Sequence, residues 1–121
     1  MKHIFAVDIG GTAVKYALVS PTFEVNNLGE FPTPYEGPEA LIDAIVHALE
    51  PYRDQVDGVG ISLPGTVTDD PDGTIARGGA LTFMNGVPLG KLIRERTGLV
   101  CTVENDGKAG VLGEYASGAL M

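Results

Sequence analysis

The chain has 121 residues, enough for one domain with a substantial hydrophobic core. Its hydrophobic fraction of 44% is that of a globular protein and excludes a disordered one. The formal net charge of −8 argues against a nucleic-acid partner, because no basic patch is available to neutralise phosphates.

Cysteine and histidine are scarce. Cys101 is the single cysteine, so no intramolecular disulfide forms, and with only His3 and His47 beside it no zinc site forms either. No apolar run approaches the roughly 20 residues of a membrane span, and no signal peptide precedes the first predicted strand. We therefore expect a protein of the reducing cytoplasm without a membrane partner.

Two β-rich runs joined by a glycine turn open the chain. Residues 4–7 have the length and composition of a buried strand, and residues 13–19 follow as a second β-rich run. Residues 23–31 predict a third strand, which two prolines end. Apolar positions at helical spacing then predict a helix that begins at Pro38 and ends at Pro51.

The second half begins with another predicted strand, residues 56–63. Two short ribbons, residues 66–68 and 74–76, flank a turn that holds three aspartates. These aspartates lack the spacing and the bidentate glutamate of an EF-hand calcium loop, so we expect a solvated turn.

The last elements are two helices around a strand. Residues 88–96 predict a helix that ends at Gly98, residues 99–103 a strand, and residues 108–120 a final helix rich in Ala and Gly. This order predicts an α/β fold with a mixed central sheet flanked by helices, in which ligands collect at the carboxyl ends of the strands.

The glycine turn after the first strand is the first candidate site. Gly10 and Gly11 lack a Cβ, so their backbone amides can cradle an anion, and Thr12 adds a hydroxyl. Asp8 repels phosphate directly but can hold a hydrated Mg²⁺ that bridges to it. A tight hairpin whose glycines serve only the turn fits the local pattern as well.

The second candidate is the pair Asn105 and Asp106, after the last predicted strand. One interpretation is helix capping, which stabilises a helix by roughly 0.5–2 kcal/mol. The other is catalysis, with Asp106 accepting a proton from an alcohol while Asn105 bonds a neighbouring hydroxyl. Phosphoryl transfer needs such a base together with a phosphate cradle and a metal.

Four motifs in order and spacing resemble the N-terminal domain of ROK-family proteins (repressors, open reading frames and sugar kinases), within the actin-like ATPase superfamily, which shares a ribonuclease H-like domain. They read VDIGGTAVK at residues 7–15, SLPG at 62–65, RGGAL at 77–81 and VENDGKAGVLGE at 103–114. The resemblance covers residues 1–121 as one such domain. It implies an ATP-dependent hexose kinase, glucokinase-like, that uses Mg²⁺. Family kinases are commonly dimers, so homodimerisation is a further expectation.

The resemblance also implies a set of site residues. Asp8 would lie near the Mg²⁺–phosphate group, with Gly10, Gly11 and Thr12 forming the first phosphate loop and Lys15 nearby. For the sugar, Gly78 and Gly79 match the contacting loop and Asn105 binds hydroxyls. Asp106 matches both a sugar contact and the catalytic base. Glu104 matches the acidic position before that pair, without a catalytic role.

Three departures from the family pattern stand out. The tryptophan that often precedes the GVPL segment is missing, and Lys108 follows the Asn-Asp pair out of pattern. The family's second domain, with its second phosphate loop, adenosine pocket and zinc motif, has no counterpart in these residues. We therefore expect the isolated chain to be inactive. The alternative is the sugar-sensing domain of a ROK-type transcriptional repressor, which would need a helix-turn-helix segment ahead of the first strand.

Overall fold

A computed structural model of the chain describes residues 2–68 and 70–105. The described elements are β1 (His3–Ile9), β2 (Ala13–Val19), β3 (Val25–Pro32), α1 (Pro38–Leu49), β4 (Val56–Leu63), β5 (Thr66–Val67), β6 (Ile75–Arg77), α2 (Leu89–Thr97) and β7 (Val100–Asn105). Short 3₁₀ turns lie at Glu50–Gln55 and Thr82–Met84.

Five strands form one mixed sheet in the order β3–β2–β1–β4–β7. β2 runs antiparallel to both of its neighbours, β1 and β3, whereas β4 pairs parallel with β1 and with β7. A separate two-stranded ribbon joins β5 to β6. The predicted α/β fold with a mixed sheet is confirmed, and the carboxyl ends of β1, β4 and β7 meet at one edge.

The core lies between one face of the sheet and the two helices. Along β1 the alternate residues Phe5, Val7 and Ile9 are at most 1% exposed. From α1, the predicted stripe places Leu41, Ile42, Ile45 and Leu49 in the same apolar cluster. The face of β1 that carries Phe5, Val7 and Ile9 and the helical stripe of α1 thus belong to one shared core.

The predicted helix boundaries at Pro38 and Gly98 are confirmed. Pro38 is the first residue of α1. Gly98 follows α2 in the left-handed region, with φ of 73°, and its amide donates to the carbonyl of Arg94 at 2.7 Å. Glycine is favoured there because it has no Cβ to clash in this conformation.

Several predicted element boundaries are wrong by one or two residues, including the start of the third strand, the end of α1 and the end of the last strand. The third strand begins at Val25, because the Ser20 hydroxyl accepts the amides of Thr22 and Glu24 and holds a turn in which Phe23 has a φ of 69°. After α1 the chain continues as the 3₁₀ turn Glu50–Gln55, whose first residues tolerate a proline because their amides need no partner within the turn. The last strand extends to Asn105.

The aspartate-rich turn uses two of its carboxylates within the protein. Asp70 Oδ1 accepts the amides of Asp72 and Thr74, and Asp72 pairs with Arg94 at 3.3 Å. The hydrogen bond from the Thr68 side chain lowers the pKa of the exposed Asp70 carboxyl. Within residues 2–68 and 70–105, no helix has the length and apolar character needed to span a membrane.

Candidate functional site

Asp8 and Ser62 lie side by side where β1 and β4 end. The parallel register pairs them directly, and the Ser62 hydroxyl donates to Asp8 Oδ1 at 2.8 Å. Ser62 is buried and Asp8 is half-buried, so the bond is partly shielded from water. For Asp8 Oδ2, no donor is found among the described residues. The carboxylate is therefore fixed in direction and keeps one oxygen for a ligand.

A row of polar residues crosses the whole sheet at the level of Asp8. Register pairs Lys15 with Glu30 and with Asp8, Asp8 with Ser62, and Ser62 with Glu104. Directly paired residues share a face of a sheet, so this row lies on the face opposite Val7 and Ile9. Lys15, which is exposed, is the single cation in the row. In the described part of the chain, no ion pair joins it to Asp8.

The two glycines of the turn between β1 and β2 differ in the hydrogen bonding of their backbone amides. The Gly10 amide donates to the carbonyl of Ala13 at 2.9 Å, so it closes the turn rather than facing a ligand. For the amides of Gly11 and Thr12, no acceptor is found within residues 2–68 and 70–105. The prediction that the Gly10 amide binds phosphate is therefore wrong, because that amide closes the turn. The amides of Gly11 and Thr12 remain available to a phosphate.

The predicted sugar loop packs backbone to backbone against Pro64 and Gly65. A Cβ on Gly79, whose φ is 62°, would overlap the Pro64 carbonyl oxygen, and one on Gly65 would overlap the carbonyl oxygen of Arg77. Gly78 donates its amide to Asn85 Oδ1 at 2.7 Å. Only glycine permits this approach of the two loops, so these glycines have a structural requirement in addition to any contact with a ligand.

Asn105 ends β7 and reaches the same two loops. It pairs in register with Leu63, and its side-chain amide donates to the Gly65 carbonyl. Asn105 is the last described residue of the strand, and helix capping by Asn105 or Asp106 would involve residues outside the described part of the chain. The structure brings the predicted sugar-site residues Gly78, Gly79 and Asn105 together around Gly65. Asp106, the predicted base, lies outside the described residues, as do Lys108 and the predicted final helix.

The predicted phosphate and sugar loops adjoin each other. A Cβ added to Gly11 would lie 3.6 Å from the Ala80 Cβ and 3.7 Å from the Tyr35 hydroxyl oxygen. Tyr35 stacks edge-on against Phe83, with ring centroids 5.8 Å apart. A donor phosphate on one loop and a sugar on the other would thus be neighbours, as a transfer between them requires.

Two cavities flank these elements. One of about 400 Å³ lies on the face that carries the polar row, and it is lined by Asp8, Lys15, Asn27 and Glu30 among others. The other, of about 980 Å³, lies between the start of α1 and residues 85–88 and holds none of the predicted site residues. Cavity size therefore does not locate the predicted site, whereas the register of the sheet does.

Comparison with models of protein families gives a match over nearly the whole chain. The model described as "ROK family" matches residues 4–120. This chain belongs to the ROK family. An N-acetylmannosamine kinase of Yersinia pestis (strain Pestoides F) is 32% identical in an alignment 118 residues long, which covers 91% of this chain and 38% of that relative. The chain thus spans about two fifths of the length of that ROK relative.

Solved structures give the same fold for this ROK chain. A ROK family glucokinase from Streptomyces griseus, in complex with glucose and AMPPNP, has a TM-score of 0.80 and 31% identity over 98% of this chain and 38% of its own. ROK sugar kinases have the actin-like ATPase fold. A ROK family transcriptional regulator shares the fold at a TM-score of 0.68 and 22% identity, over 88% of this chain and 28% of its own.

The sequence did not identify Thr33, Tyr35 or Asn85, all of which hold the two loops. Thr33 is buried and donates its hydroxyl to the Gly10 carbonyl at 2.7 Å. Thr33 and Tyr35 lie 23 and 24 positions after the glycines they bond, Gly10 and Gly11. The sequence offered one signal, the polar Thr33 between two prolines directly after a strand. This signal does not indicate which residue Thr33 bonds.

Proposed function

We propose that this chain is the N-terminal part of an ATP-dependent hexose kinase, glucokinase-like, which transfers the γ-phosphate of ATP to a sugar hydroxyl. The observation that carries the proposal is the approach of Gly11 to Ala80, which sets the predicted phosphate loop beside the predicted sugar loop. The similarity of the chain to an N-acetylmannosamine kinase and to a ROK family glucokinase supports the proposal. A kinase needs donor and acceptor held close together, because positioning supplies much of its rate.

The residues divide between donor and acceptor. Gly11 and Thr12 offer amides to the ATP phosphates, with Lys15 as a nearby cation. Asp8 is the residue that would hold Mg²⁺, and its donor set fits a hydrated ion, because one carboxylate oxygen has no donor among the described residues. When bound, Mg²⁺ neutralises phosphate charge. Gly78, Gly79 and Asn105 form the sugar side.

Asp106 completes the proposal as the general base. It directly follows Asn105, whose side chain contacts the sugar side. In a kinase that contains this chain together with a second domain, we expect Asp106→Ala to reduce the transfer rate on the order of 10²–10⁴-fold, the usual effect of one lost base. Asp106→Asn is the matched control for size, and it too should be inactive because an amide does not accept the proton.

The direct test is calorimetric titration of the chain with Mg-ATP and with a panel of glucose, N-acetylmannosamine, N-acetylglucosamine, fructose and allose. We expect binding of both Mg-ATP and one hexose, with glucose and N-acetylmannosamine the first two to compare. Binding of a sugar without phosphate transfer, even in a protein that contains the second domain, would contradict the kinase proposal and favour the sugar-sensing alternative. Binding of neither Mg-ATP nor a sugar would contradict both.

A second assay tests the inactivity of the chain by itself. The chain covers about two fifths of its kinase relatives, and we expect their remaining parts to supply the other side of the ATP site. A coupled assay for ADP release should therefore show no sugar-dependent turnover by the 121 residues. Sugar-dependent ADP release by the chain alone would contradict this expectation.

A further inference from the structure

One short segment bonds all three carbonyls of the phosphate loop (residues 10–12). The Thr33 hydroxyl donates to the Gly10 carbonyl at 2.7 Å, and the Thr33 amide donates to the Thr12 carbonyl at 3.0 Å. The Tyr35 hydroxyl donates to the Gly11 carbonyl. The loop is thus held along its whole length from the side of residues 33–35.

These bonds fix the direction of the loop amides. In a trans peptide the C=O and N–H groups point in opposite directions, and the Gly10 carbonyl shares its peptide with the Gly11 amide. The Gly11 carbonyl likewise shares its peptide with the Thr12 amide. Because both carbonyls face Thr33 and Tyr35, the two amides face away from them. They are also the loop amides without an acceptor in the described part of the chain.

The two side chains are themselves well held. Thr33 is 8% exposed, so its hydroxyl has little competition from water. Tyr35 is about half exposed, but its ring packs edge-on against Phe83 at an interplanar angle of 74°. Donors anchored in this way keep the loop in one conformation before a ligand arrives, which avoids the cost of ordering it on binding.

We propose that Thr33 and Tyr35 are positioning residues that aim the Gly11 and Thr12 amides at the phosphates of ATP. The proposal rests on the proposed function, since it concerns the same phosphate site. Neither side chain needs to touch the nucleotide. Their effect passes through the two loop carbonyls that they bond.

The test is a nuclear magnetic resonance titration of the ¹⁵N-labelled chain with Mg-ATP and, separately, with tripolyphosphate. In the wild-type chain we expect both probes to shift the amide resonances of Gly11 and Thr12. Thr33→Val and Tyr35→Phe should each weaken binding about three- to tenfold, the scale of one net hydrogen bond, and reduce those two shifts. Thr33→Ser keeps the hydroxyl and should restore both affinity and shifts.

Thr97→Val is the matched control. Thr97 is as buried as Thr33, at 8% exposed, and its hydroxyl donates to the Ile93 carbonyl at 2.7 Å, at the end of α2. It should lower the melting temperature without changing affinity for either probe. An equal loss of affinity in Thr97→Val would overturn the proposal, because the effect would then follow from general destabilisation.

The remaining outcomes separate the two proposals. If the wild-type chain binds both probes and Thr33→Val and Tyr35→Phe bind as tightly, the positioning proposal is overturned while the proposed function stands. If the wild-type chain binds neither probe, the proposed function fails and the positioning proposal fails with it. If Thr33→Val does not fold, Tyr35→Phe decides, because it keeps the ring against Phe83.

Discussion

The Ser62 hydroxyl donates to Asp8 Oδ1 at 2.8 Å, across two parallel strands that pair these residues directly. Asp8 lies just before the phosphate loop. Ser62 lies on β4, the strand that leads into the sugar-side turn at Pro64 and Gly65, and the bond joins the two. Ser62 is 1% exposed, so water cannot reach its hydroxyl and Asp8 is the acceptor on which that hydroxyl depends. This bond joins the two halves of the proposed site at the sheet edge.

Ser62→Ala should therefore lower both stability and affinity. We expect the free energy of unfolding to fall by about 1–2 kcal/mol, because a part-buried bond to a charged group is lost. Mg-ATP affinity should fall as well, because the carboxylate is freer to turn. Urea unfolding and calorimetry measure the two effects. Ser20→Ala, in an exposed turn, is the control and should leave affinity unchanged. An unchanged Mg-ATP affinity in Ser62→Ala would show that ligand binding does not depend on the hydrogen bond from Ser62 to Asp8.

Asp8→Asn tests the metal assignment. The amide keeps the size of the side chain but loses the negative charge that attracts a cation. In the wild-type chain we expect EDTA to weaken ATP binding on the order of tenfold, which corresponds to about 1.4 kcal/mol. In Asp8→Asn, binding with and without EDTA should be equal and weak. An EDTA effect of wild-type size in Asp8→Asn would place the metal on other groups.

Gly10→Ala and Gly11→Ala should differ sharply in stability. A Cβ on Gly10 would lie 2.9 Å from the Ala13 carbonyl oxygen, so the turn must shift, at a cost of about 1–3 kcal/mol. A Cβ on Gly11 meets atoms only at 3.6 Å and beyond, which is ordinary contact, so we expect a change within about 1 kcal/mol. Thermal unfolding of the two variants measures the difference. Equal destabilisation would contradict the assignment of Gly10 as the residue that shapes the turn.

Local patterns predicted the elements, and long-range contacts decided the site. The hairpin around Gly10, the start of α1 at Pro38 and the end of α2 at Gly98 depend on neighbours a few residues away, so the sequence was sufficient. The bond from Thr33 to the Gly10 carbonyl forms only after β3 folds back beside β2. No local pattern encodes that contact.

The last strand shows the same limit in another way. Asn105 and Asp106 precede a predicted helix, and a capping residue is the ordinary inference from such a pair. Pairing of β7 with β4 extends the strand through Asn105, which turns its side-chain amide to the Gly65 carbonyl. This contact of Asn105 with Gly65 depends on tertiary pairing, which the local pattern does not encode. The parallel order of β1, β4 and β7 then made the shared sheet edge predictable.

Asn105→Asp tests the contact between the last strand and the sugar-side turn. The substitution keeps the shape but removes the Nδ2 donor and sets a carboxylate against the Gly65 carbonyl. We expect a loss of about 1–3 kcal/mol in unfolding free energy, the cost of an unmatched acceptor, together with weaker sugar binding. Asn27→Asp, on the exposed strand β3, is the control and should change neither quantity strongly. Sugar affinity unchanged in Asn105→Asp would contradict a role for Asn105 on the sugar side.

Cys101 should make stability fall at alkaline pH. Burial raises the pKa of its thiol from 9.0 to about 12, against a smaller opposing effect of the Arg94 charge. Between these values the unfolded chain loses the thiol proton while the folded chain keeps it. The folded state then binds more protons, so the free energy of unfolding falls as pH rises, by up to about 1.4 kcal/mol per pH unit. Below pH 9 this contribution is fully present.

The measurement is urea unfolding of the wild-type chain and of Cys101→Ala between pH 8 and pH 11. The two proteins share every other ionisable side chain, so the difference between the two slopes isolates the thiol. We expect the wild-type chain to lose stability more steeply than Cys101→Ala above pH 9. In the native chain the thiol should also react slowly with a disulfide reagent until urea unfolds the protein, because the thiolate is the reactive form. Parallel slopes together with fast native labelling would show that the thiol of Cys101 on β7 is not held in the core.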